Sequence, residues 1–395
     1  MSNSAFTGIE CRSCGTRFDV DLSTFPCPEC GGFLDAIYDL SNLDLDKSTL
    51  EGRGKSMWKY RELLPITDSS AVVSLGEGLT PIVEASKLAD KYGIGTLLVK
   101  DEGQNPTSTF KDRGASVTMS GLRERGIEET CIVSVGNAGH AAATYAGRAD
   151  ITCHVYLTSD RGGLATTLMQ AHGAELHLGE DFVSSKAQMN ADSAERGWTS
   201  LGPFLSPFRH EGKKTMGLEL FEQLEWSPPD HIVYPTGGGV GIVGIWKAFE
   251  HYRELGWLDD ETIPSIHVAQ TEGCAPLVRA IDNGEPRHRR WENPESIARG
   301  VMNPDPGASE WILENVYESG GTGVAVSDRQ AVDAAIEIMR TEGVEMGITS
   351  AVALAGTIEL SDRDVFGEED SVVIVNTGAA TKSASELAQF LPDLE

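Results

Sequence analysis

The sequence is poor in basic residues: 32 lysines and arginines stand against 60 aspartates and glutamates, so the formal net charge of its 395 residues is −28. A surface of that sign repels the phosphates of nucleic acids and the anionic headgroups of membranes, and we expect neither as a partner. No apolar run approaches the roughly 20 residues that a membrane-spanning helix needs. The N-terminal stretch MSNSAFTGIECRSCG also lacks the basic and apolar segments of a signal peptide, so the sequence predicts a soluble cytoplasmic protein.

Lysine is especially scarce, since only 12 of the 32 basic residues are lysines, and the acidic residues are spread along the whole chain. Such a surface is suited to staying hydrated in concentrated salt, and our hypothesis is that the source is a salt-accumulating halophile. One alternative is an ordinary acidic protein. A protein with an acidic tail is another, but such a tail would need a block of like charges that the sequence does not contain. Hydrophobic residues make up 40% of the chain, which is enough for a large core, and the length of 395 residues predicts two or three domains.

Four of the seven cysteines form two CxxC pairs near the N-terminus, separated by twelve residues. Two residues between the thiols allow a tight turn that directs both sulfurs at one ion, and a glycine after each second cysteine lets the backbone fold around them. Disulfides are the alternative, and they are uncommon in the cytoplasm. The spacing therefore predicts a structural zinc site with four thiolate ligands, which are Cys11, Cys14, Cys27 and Cys30.

From about residue 75 onward, short apolar strands alternate with helical stretches, which predicts an α/β architecture around mainly parallel sheets. The predicted strands are Thr96–Lys100, Cys131–Val135, Cys153–Leu157, His231–Tyr234, Ile266–Ala269 and Ser371–Val375. The predicted helices are Ala85–Tyr92, Lys111–Arg125, Ala141–Ala149, Ile242–Leu255 and Arg329–Thr341. Residues 40–60 are interpreted as a linker, and the stretches near 202–212 and 283–308 as loops between domains. Ligands in such sheets bind beyond the carboxyl ends of the strands, so the turns there are the candidate sites.

The first of these turns, NPTSTFKDRG, follows a predicted strand and leads into a helix. Thr109 and Asp112 have the spacing of a capping box, which places the helix start near Phe110 and Lys111 in the first helical turn. The helix dipole disfavours a cation there, and with Arg113 nearby we expect the pKa of Lys111 to be lowered. A lysine of lowered pKa is what Schiff-base chemistry requires, whereas the alternative is a solvated surface lysine.

The second turn, SVGNAGH, follows the strand CIVSV and opens a helix of small residues. Gly136 and Gly139 allow the backbone to approach a flat ligand closely, and Asn137 offers an amide donor at the end of the strand. The alternative is a turn that only connects the two elements.

The third turn, TGGGVG, runs from Thr236 to Gly241 between the strand HIVYP and a long helix. Its backbone N–H groups and the helix N-terminus would form a cradle for an anion, most naturally a phosphate. A flexible connector is one alternative. Another is a dinucleotide fingerprint at Gly239, Gly241 and Gly244, with Glu272 as the ribose acid, although that acid lies farther along the chain than usual.

A lysine for an imine, an asparagine beside a ring substituent and a glycine cradle for a phosphate together describe pyridoxal phosphate. That cofactor also needs a partner for its pyridine nitrogen. Thr377 follows the predicted strand Ser371–Val375, and its hydroxyl could hydrogen-bond a neutral pyridine nitrogen; the alternative is a simple strand-end turn. A nicotinamide cofactor would leave Lys111 and Asn137 without a role.

Three stretches carry a resemblance to a known family: GEGLTP at 76–81, KDEGQNPTSTFKDRG at 100–114 and PFRHEGKKT at 207–215. In them the chain resembles the pyridoxal-phosphate enzymes of the threonine synthase and threonine dehydratase superfamily, over about residues 72–385. The NPT-x-x-FKDR core is similar to that of threonine synthases, some of which also carry an N-terminal zinc ribbon. The resemblance implies fold type II, with two open twisted α/β domains and, in this chain, the small zinc ribbon in addition.

The resemblance also implies a division into domains. It places the zinc ribbon at 1–45, a large cofactor-binding domain at 46–119 and 201–395, and a small mobile domain at 120–200 that closes over the substrate. It further suggests a homodimer.

On matching positions, the resemblance assigns Lys111 as the catalytic residue and as the attachment point of pyridoxal phosphate. Phe110 would lie beside the cofactor ring, Asn137 would bond the ring hydroxyl and Thr377 the pyridine nitrogen. The residues that would hold the cofactor phosphate are Gly237, Gly238, Gly239, Val240 and Gly241.

The implied reaction converts O-phospho-L-homoserine and water to L-threonine and phosphate, by γ-elimination and β-addition of water. Arg209 matches the family's phosphate-binding arginine, and Ser134 is a second donor to the substrate.

The chain departs from many threonine synthases in the glycine loop, which reads GGGVG where many relatives have amides, and at four further positions. They have hydroxyl residues where it has Val135 and Ala138, and an Asn-Ser pair where it has Pro203 and Phe204. A phosphate site with fewer donors keeps an alternative open, namely a related lyase or β-replacement enzyme of the threonine dehydratase or cysteate synthase type. Such an enzyme would act on serine, threonine or phosphoserine.

Overall fold

The computed structural model describes residues 4–19, 26–134, 136–158, 163–202, 204, 206–258 and 262–391. In this part of the chain the strands are β1 (Phe6–Cys11), β2 (Arg17–Phe18), β3 (Leu34–Tyr38), β4 (Ile82–Glu84), β5 (Thr96–Asp101), β6 (Glu129–Val133), β7 (Thr152–Thr158), β8 (Glu175–Gly179), β9 (Thr199–Ser200), β10 (His231–Pro235), β11 (Ser265–Thr271), β12 (Gly323–Val326) and β13 (Ser371–Asn376).

The α-helices of the same part of the chain are α1 (Lys47–Glu51), α2 (Ser86–Tyr92), α3 (Lys111–Glu124), α4 (Asn137–Ala149), α5 (Leu164–Ala171), α6 (Phe182–Arg196), α7 (Pro207–Gln223), α8 (Val240–Glu254), α9 (Pro276–Asp282), α10 (Ser309–Glu318), α11 (Asp328–Thr341), α12 (Ile348–Ser361) and α13 (Ala384–Ala388). Short 3₁₀ segments lie at Met57–Leu63, Ser69–Ala71, Glu102–Gln104 and Ala380–Ser383. None of the described helices combines the length and the apolar character that crossing a bilayer requires.

The described residues fall into two compact units. The first unit combines Met1–Leu79 with Lys111–Met216, and the second combines Thr80–Phe110 with Gly217–Glu395. Phe110 and Lys111 are therefore consecutive in the chain but belong to different units.

The second unit is built on a six-stranded sheet in the order β12-β11-β10-β13-β5-β4. All its pairings are parallel except that of the edge strand β4 with β5. Strands such as SVVIVN in β13 are apolar on both faces, as expected of a sheet that helices cover on each side. Helix α12 is apolar around most of its circumference and contributes several fully buried residues to the core of this unit.

Two histidines link the strands of this sheet. The Nδ1 atom of His267 accepts the Thr322 N–H at 3.2 Å, so its proton is on Nε2, which lies 3.0 Å from Nδ1 of His231. His231 in turn donates from Nε2 to Asp370 at 2.9 Å. The ring of His267 is neutral, because burial and, to a smaller degree, the neighbouring His231 lower the pKa of His267 to about 3.

The first unit holds two sheets. Strands β2, β1 and β3 form a small antiparallel sheet around the cysteines, and β8, β7, β6 and β9 form a parallel sheet in that order. Helices α3 and α4 pack together beside the parallel sheet, and their core includes Leu122, Tyr145 and Val155, all fully buried. This arrangement places the starts of α3 and α4, where Lys111 and Asn137 lie, within one unit.

The predicted strands and helices that lie in the described residues are present, with ends shifted by up to four residues, and the mainly parallel α/β architecture is confirmed. Two interpretations were wrong. The region 40–60 contains a helix and part of a 3₁₀ segment, and its Leu50, Met57 and Tyr60 are fully buried, so it is packed rather than a free linker. The stretch 202–212 includes the start of α7, where Pro207 occupies the first helical position that proline favours.

Candidate active site

The four N-terminal cysteines converge. Their Sγ atoms all lie within 4.8 Å of one another, with Cys11 and Cys30 at 3.5 Å and Cys14 and Cys27 at 3.9 Å. These separations exclude S–S bonds and match the ~3.8 Å between thiolates around a tetrahedral zinc ion with 2.3 Å bonds. Each CxxC turn closes with the same hydrogen bond at 2.8 Å, from the following glycine to the first cysteine, and both glycines have positive φ. The donor set therefore fits zinc.

Lys111 is the first residue of α3 and lies on the wall of a cavity in the first unit. The polar lining of this cavity comes from Lys111, Thr118 and Arg209. Burial, and to a smaller degree the charge of Arg209, lower the pKa of Lys111 to about 7. The predicted direction of this shift is present, but burial and Arg209 produce it rather than Arg113. At neutral pH a large fraction of the amine is thus unprotonated and nucleophilic.

Two glycines set the approach of the helices that carry Lys111 and Arg209. A Cβ atom on Gly212 of α7 would overlap the carbonyl oxygen of Arg113 and lie 2.7 Å from Cα of Gly114. A Cβ atom on Gly114 of α3 would overlap the amine of Lys213 and lie 2.9 Å from the Arg209 carbonyl oxygen. Only glycine at both positions allows α3 and α7 to cross this closely.

Arg209 is buried in the first turn of α7. Its guanidinium donates to the Leu201 carbonyl, and burial lowers the pKa of Arg209 to about 10, so it remains a cation at neutral pH. A buried guanidinium on a cavity wall is a strong site for an anionic group, because the attraction is less screened there than in water.

Ser134 and Asn137 lie where β6 leads into α4. The Ser134 oxygen accepts the Gly139 N–H at 2.9 Å and the Gly136 N–H at 3.4 Å. Both contacts use oxygen lone pairs, so the Ser134 hydroxyl keeps its proton as a donor. Asn137 is the first residue of α4, four residues earlier than the helix start predicted from sequence, and Ala138 next to it lines the cavity with Lys111. Of the four departures noted above, Val135 and Pro203 lie outside the described residues.

A buried carboxylate holds α3 and α4 in place. Glu77, the acid of the GEG motif, accepts hydrogen bonds from Trp58, Ser116 of α3 and Tyr145 of α4, at 3.0, 2.6 and 2.9 Å. The Leu75 N–H donates to it as well, at 2.8 Å. Glu77 thus fixes the two helices whose first turns carry Lys111 and Asn137.

The glycine loop lies in the second unit, between β10 and α8. Gly239 is the N-cap residue of α8, with φ +70°, and no side chain caps this helix; Val240 begins it. Cβ atoms would overlap Ile312 at Gly239 and Tyr234 at Gly241, and at Gly237 one would lie 2.7 Å from the Gly300 carbonyl oxygen. Packing therefore requires glycine at three of these positions. A Cβ atom at Gly238 would meet its nearest neighbour, the Asn303 amide nitrogen, at 3.6 Å, so packing does not require glycine there. The uncapped helix start is the feature suited to an anion.

Tyr234 gives a further sign of a ligand beside this loop. Its hydroxyl is buried and finds no hydrogen-bond partner among the described residues, and its ring meets that of Phe110 edge-on at 6.3 Å. A buried hydroxyl without a partner is unfavourable by about 1–3 kcal/mol. A phosphorylated ring compound between Phe110 and the α8 start would supply acceptor atoms, so the loop fits such a group.

Thr377 follows β13 in the second unit and is held by its neighbours. Its hydroxyl lies 3.1 Å from that of Ser350, which also accepts the Gly378 N–H at 3.1 Å. The Thr377 carbonyl oxygen accepts the Phe110 N–H at 3.1 Å. The backbone around Phe110 is thereby tied to the end of β13, which brings two of the predicted cofactor residues together.

The cysteine-bearing sheet is attached to α7 beside Arg209. Nε2 of His210 lies 2.8 Å from an Asp35 carboxylate oxygen, and the Tyr38 hydroxyl donates to Glu211 at 2.5 Å. All four of these residues belong to the first unit. The position of Arg209 is therefore mechanically connected to the fold of the N-terminal sheet.

Sequence reasoning missed Glu77, Tyr234, Ser350 and the Gly114–Gly212 crossing. Glu77 lies in the GEGLTP stretch that carries the family resemblance, which was the one sign that this residue has a role. Tyr234 and Ser350 had none, because a tyrosine in a buried strand and a serine in an apolar helix are ordinary core residues.

Comparison with known proteins places the chain among characterised enzymes. The pyridoxal-phosphate dependent enzyme family matches residues 73–378. A threonine synthase of Methanosarcina acetivorans is 35% identical over 378 residues, which is 95% of this chain and 92% of that protein. A threonine synthase of Methanocaldococcus jannaschii is 33% identical over 376 residues, or 94% and 92% of the two chains. Among solved structures, maize serine racemase superposes with a TM-score of 0.68 at 21% identity, over 79% of this chain and 91% of that one, which shows a shared fold.

Proposed function

The chain belongs to the family of pyridoxal-phosphate dependent enzymes, and we propose that it acts as a threonine synthase, converting O-phospho-L-homoserine and water to L-threonine and phosphate. The predicted fold type II architecture is confirmed by the family match. The observation that carries the proposal is the cavity of the first unit, where an amine of near-neutral pKa and a buried guanidinium share one wall. A substrate with an amino acid end and a phosphate end needs both groups.

The residues that would hold pyridoxal phosphate are those assigned by the resemblance. Lys111 would be the covalent attachment point, Phe110 would lie beside the ring, Asn137 would bond the ring hydroxyl and Thr377 the pyridine nitrogen. The N–H groups of Gly237, Gly238, Gly239, Val240 and Gly241 would hold the cofactor phosphate. When bound, the cofactor supplies an electron sink for negative charge that develops on the substrate carbons.

Lys111 carries the protons. Its amine would accept the proton of the substrate α-carbon and then one from the β-carbon, and it would return protons to the γ-carbon and the α-carbon. A group that both accepts and donates works best with a pKa near the operating pH, and the pKa of Lys111 is about 7. The γ-carbon loses phosphate and gains a proton to become a methyl group, the β-carbon loses a proton and gains the hydroxyl of water, and the second hydrogen of that water balances the departing phosphate.

Arg209 binds the substrate phosphate and stabilises its charge as it leaves. The guanidinium is fixed by its bond to the Leu201 carbonyl, so it does not need to reorganise during the reaction. Ser134 adds one hydroxyl donor. These two donors are the proposed substrate-binding residues.

The decisive experiment supplies purified holoenzyme with O-phospho-L-homoserine and measures phosphate and threonine together. Equal amounts of both products support the proposal. No phosphate release, with 2-oxoacid formed from serine or threonine, would instead indicate the lyase alternative.

We propose further that Cys11, Cys14, Cys27 and Cys30 bind one structural zinc ion per chain. The S–S separations support this, and thiolate ligands require the reducing conditions of a cytoplasmic location. Elemental analysis of the purified protein should find one zinc, and a Cys14→Ser/Cys30→Ser variant should have lost it. A full complement in that variant would refute the assignment.

The remaining proposals concern the whole molecule. We propose a small mobile domain at 120–200, a large domain at 46–119 and 201–395, a ribbon at 1–45, a homodimer, small-molecule substrates only, and a halophilic source. The 60 acidic residues against 32 basic ones support the halophilic source. Thermal unfolding at low and at molar KCl tests this proposal, because equal stability in both would contradict a halophilic surface. Light scattering tests the dimer.

A further inference from the structure

Outside the active site, two histidines and a glutamate lie together on one face of the parallel sheet of the first unit. His154 is in β7, and Glu175 and His177 are in the neighbouring edge strand β8. His154 pairs with Glu175 and Tyr156 with His177 in the register of these strands, so alternate residues present the three side chains on the same face.

The ligand atoms of these residues are close enough to share an ion. Nδ1 of His154 lies 3.2 Å from Nε2 of His177 and 3.4 Å from a Glu175 carboxylate oxygen, and all three atoms are within 4.8 Å of one another. Two ligands at 2.0–2.1 Å from a tetrahedral ion are about 3.3 Å apart. The separations in the structure therefore need little adjustment to surround a metal.

The surroundings orient the buried histidine for this role. The ring of His154 is stacked on Trp198, with centroids 3.6 Å apart, and His177 is stacked on Tyr156 at 4.4 Å. With Nδ1 directed at the position that an ion would take, the proton of His154 is on Nε2. That nitrogen is buried without a hydrogen-bond partner and faces a Glu129 oxygen at 3.6 Å. A carboxylate behind the second nitrogen of a histidine is the usual support of a metal ligand.

We propose that His154, Glu175 and His177 form a second metal site, specific for a first-row divalent ion of the zinc type. Imidazole and carboxylate ligands suit such ions, and a fourth position is left for water. The exposed side of the site is formed by Glu175, whose side chain is 62% accessible, which gives the ion a path from solvent. Bound metal joins the edge strand β8 to β7.

The test titrates Zn²⁺ into holoenzyme whose cysteine site is already filled, using calorimetry. We expect one additional ion per chain. His177→Ala should weaken its binding at least tenfold. Glu129→Gln removes the charge of the supporting carboxylate but keeps an oxygen that can accept the 2.7 Å hydrogen bond from Trp198 Nε1, and it should weaken binding about 10- to 100-fold. His172→Ala, an exposed histidine of the same unit, serves as the matched control and should bind as the unaltered chain does.

Two readouts independent of calorimetry complete the test. Ni²⁺ should quench the fluorescence of Trp198, and a Trp198→Phe variant should lose that component of the quenching. Zn²⁺ should raise the thermal midpoint of the unaltered chain but not of His177→Ala, because an ion bound only to the folded state stabilises it. Binding that is absent, or that is equal in His177→Ala and the control, would overturn the proposal and leave the cluster as a hydrogen-bonded histidine pair.

Discussion

The first unit contributes long cationic side chains to the proposed chemistry, whereas the second contributes backbone N–H groups and short hydroxyls. Lys111 and Arg209 belong to the first unit, and in both burial lowers the pKa. The glycine loop and Thr377 belong to the second unit. There the relevant property is the absence of side-chain atoms at Gly239 and Gly241.

This difference predicts that the two units respond differently to substitution. In the first unit, function should be lost when a functional group is removed, while the fold survives. In the second unit, function and stability should be lost together when an atom is added. Four experiments test this contrast, from the largest expected effect to the smallest.

Removing the amine of Lys111 should have the largest effect. Lys111→Ala should lower turnover at least about a thousandfold, because the group that attaches the cofactor and moves protons is gone. The visible absorbance of the lysine–cofactor imine should disappear, while the thermal midpoint stays near that of the unaltered chain. Lys186→Ala, an exposed lysine of α6, is the control and should be active. An imine band that persisted in Lys111→Ala would refute the assignment.

Adding one methyl group to the glycine loop should affect both stability and cofactor affinity. In Gly241→Ala the new Cβ overlaps Tyr234, and such overpacking destabilises by about 1–3 kcal/mol. Gly238→Ala is the matched control in the same loop, since its Cβ meets nothing closer than 3.6 Å. Thermal unfolding and cofactor titration measure both effects. Similar losses in the two variants would show that packing at Tyr234 is not the reason for the glycine.

The pH at which the cofactor attaches should depend on Arg209. The rate of imine formation in the apoenzyme should rise through a midpoint near the Lys111 pKa of about 7, because only the unprotonated amine reacts. Arg209→Gln removes the smaller of the two causes that lower this pKa, so the midpoint should move upward while burial still keeps it below the usual lysine value. Stopped-flow absorbance at several pH values measures it. An unchanged midpoint would mean that the two cations are not electrostatically coupled.

The smallest expected effect is the loss of folding stability that protonation of His267 causes at low pH. The pKa of His267 is about 3 in the folded chain, below the ordinary value near 6.5, so the unfolded chain takes up the proton first. The contribution of neutral His267 to the free energy of unfolding is fully present above pH 6.5. It decreases as the pH falls toward 3, by at most about 1.4 kcal/mol per pH unit. Thermal midpoints between pH 7.5 and 5 should fall less in His267→Gln than in the unaltered chain. His172→Gln, at an exposed site, should retain the full slope, and a retained slope in His267→Gln would contradict this assignment.

The sequence was sufficient to predict those elements whose cause lies in neighbouring residues. The strands of the large sheet were visible because both of their faces are buried, which makes them continuously apolar. The turns at Lys111 and the glycine loop were visible because unusual residues follow those strands. Strand β8 was missed because none of its residues is fully buried and its side chains are mixed in polarity. The partners of Glu77 were missed because Trp58, Ser116 and Tyr145 are brought together only by the fold.

The crossing of α3 and α7 at Gly114 and Gly212 has a consequence for how this protein can change over evolutionary time. The spacing of Lys111 and Arg209 is set there by two hydrogen atoms in place of side chains, and the smallest possible alteration is a whole methyl group. The spacing of the two cations cannot drift in small increments at these positions. Both helices are buried along almost their whole length, so substitutions that adapt the surface to a new solvent fall on other elements and leave the spacing of Lys111 and Arg209 unchanged.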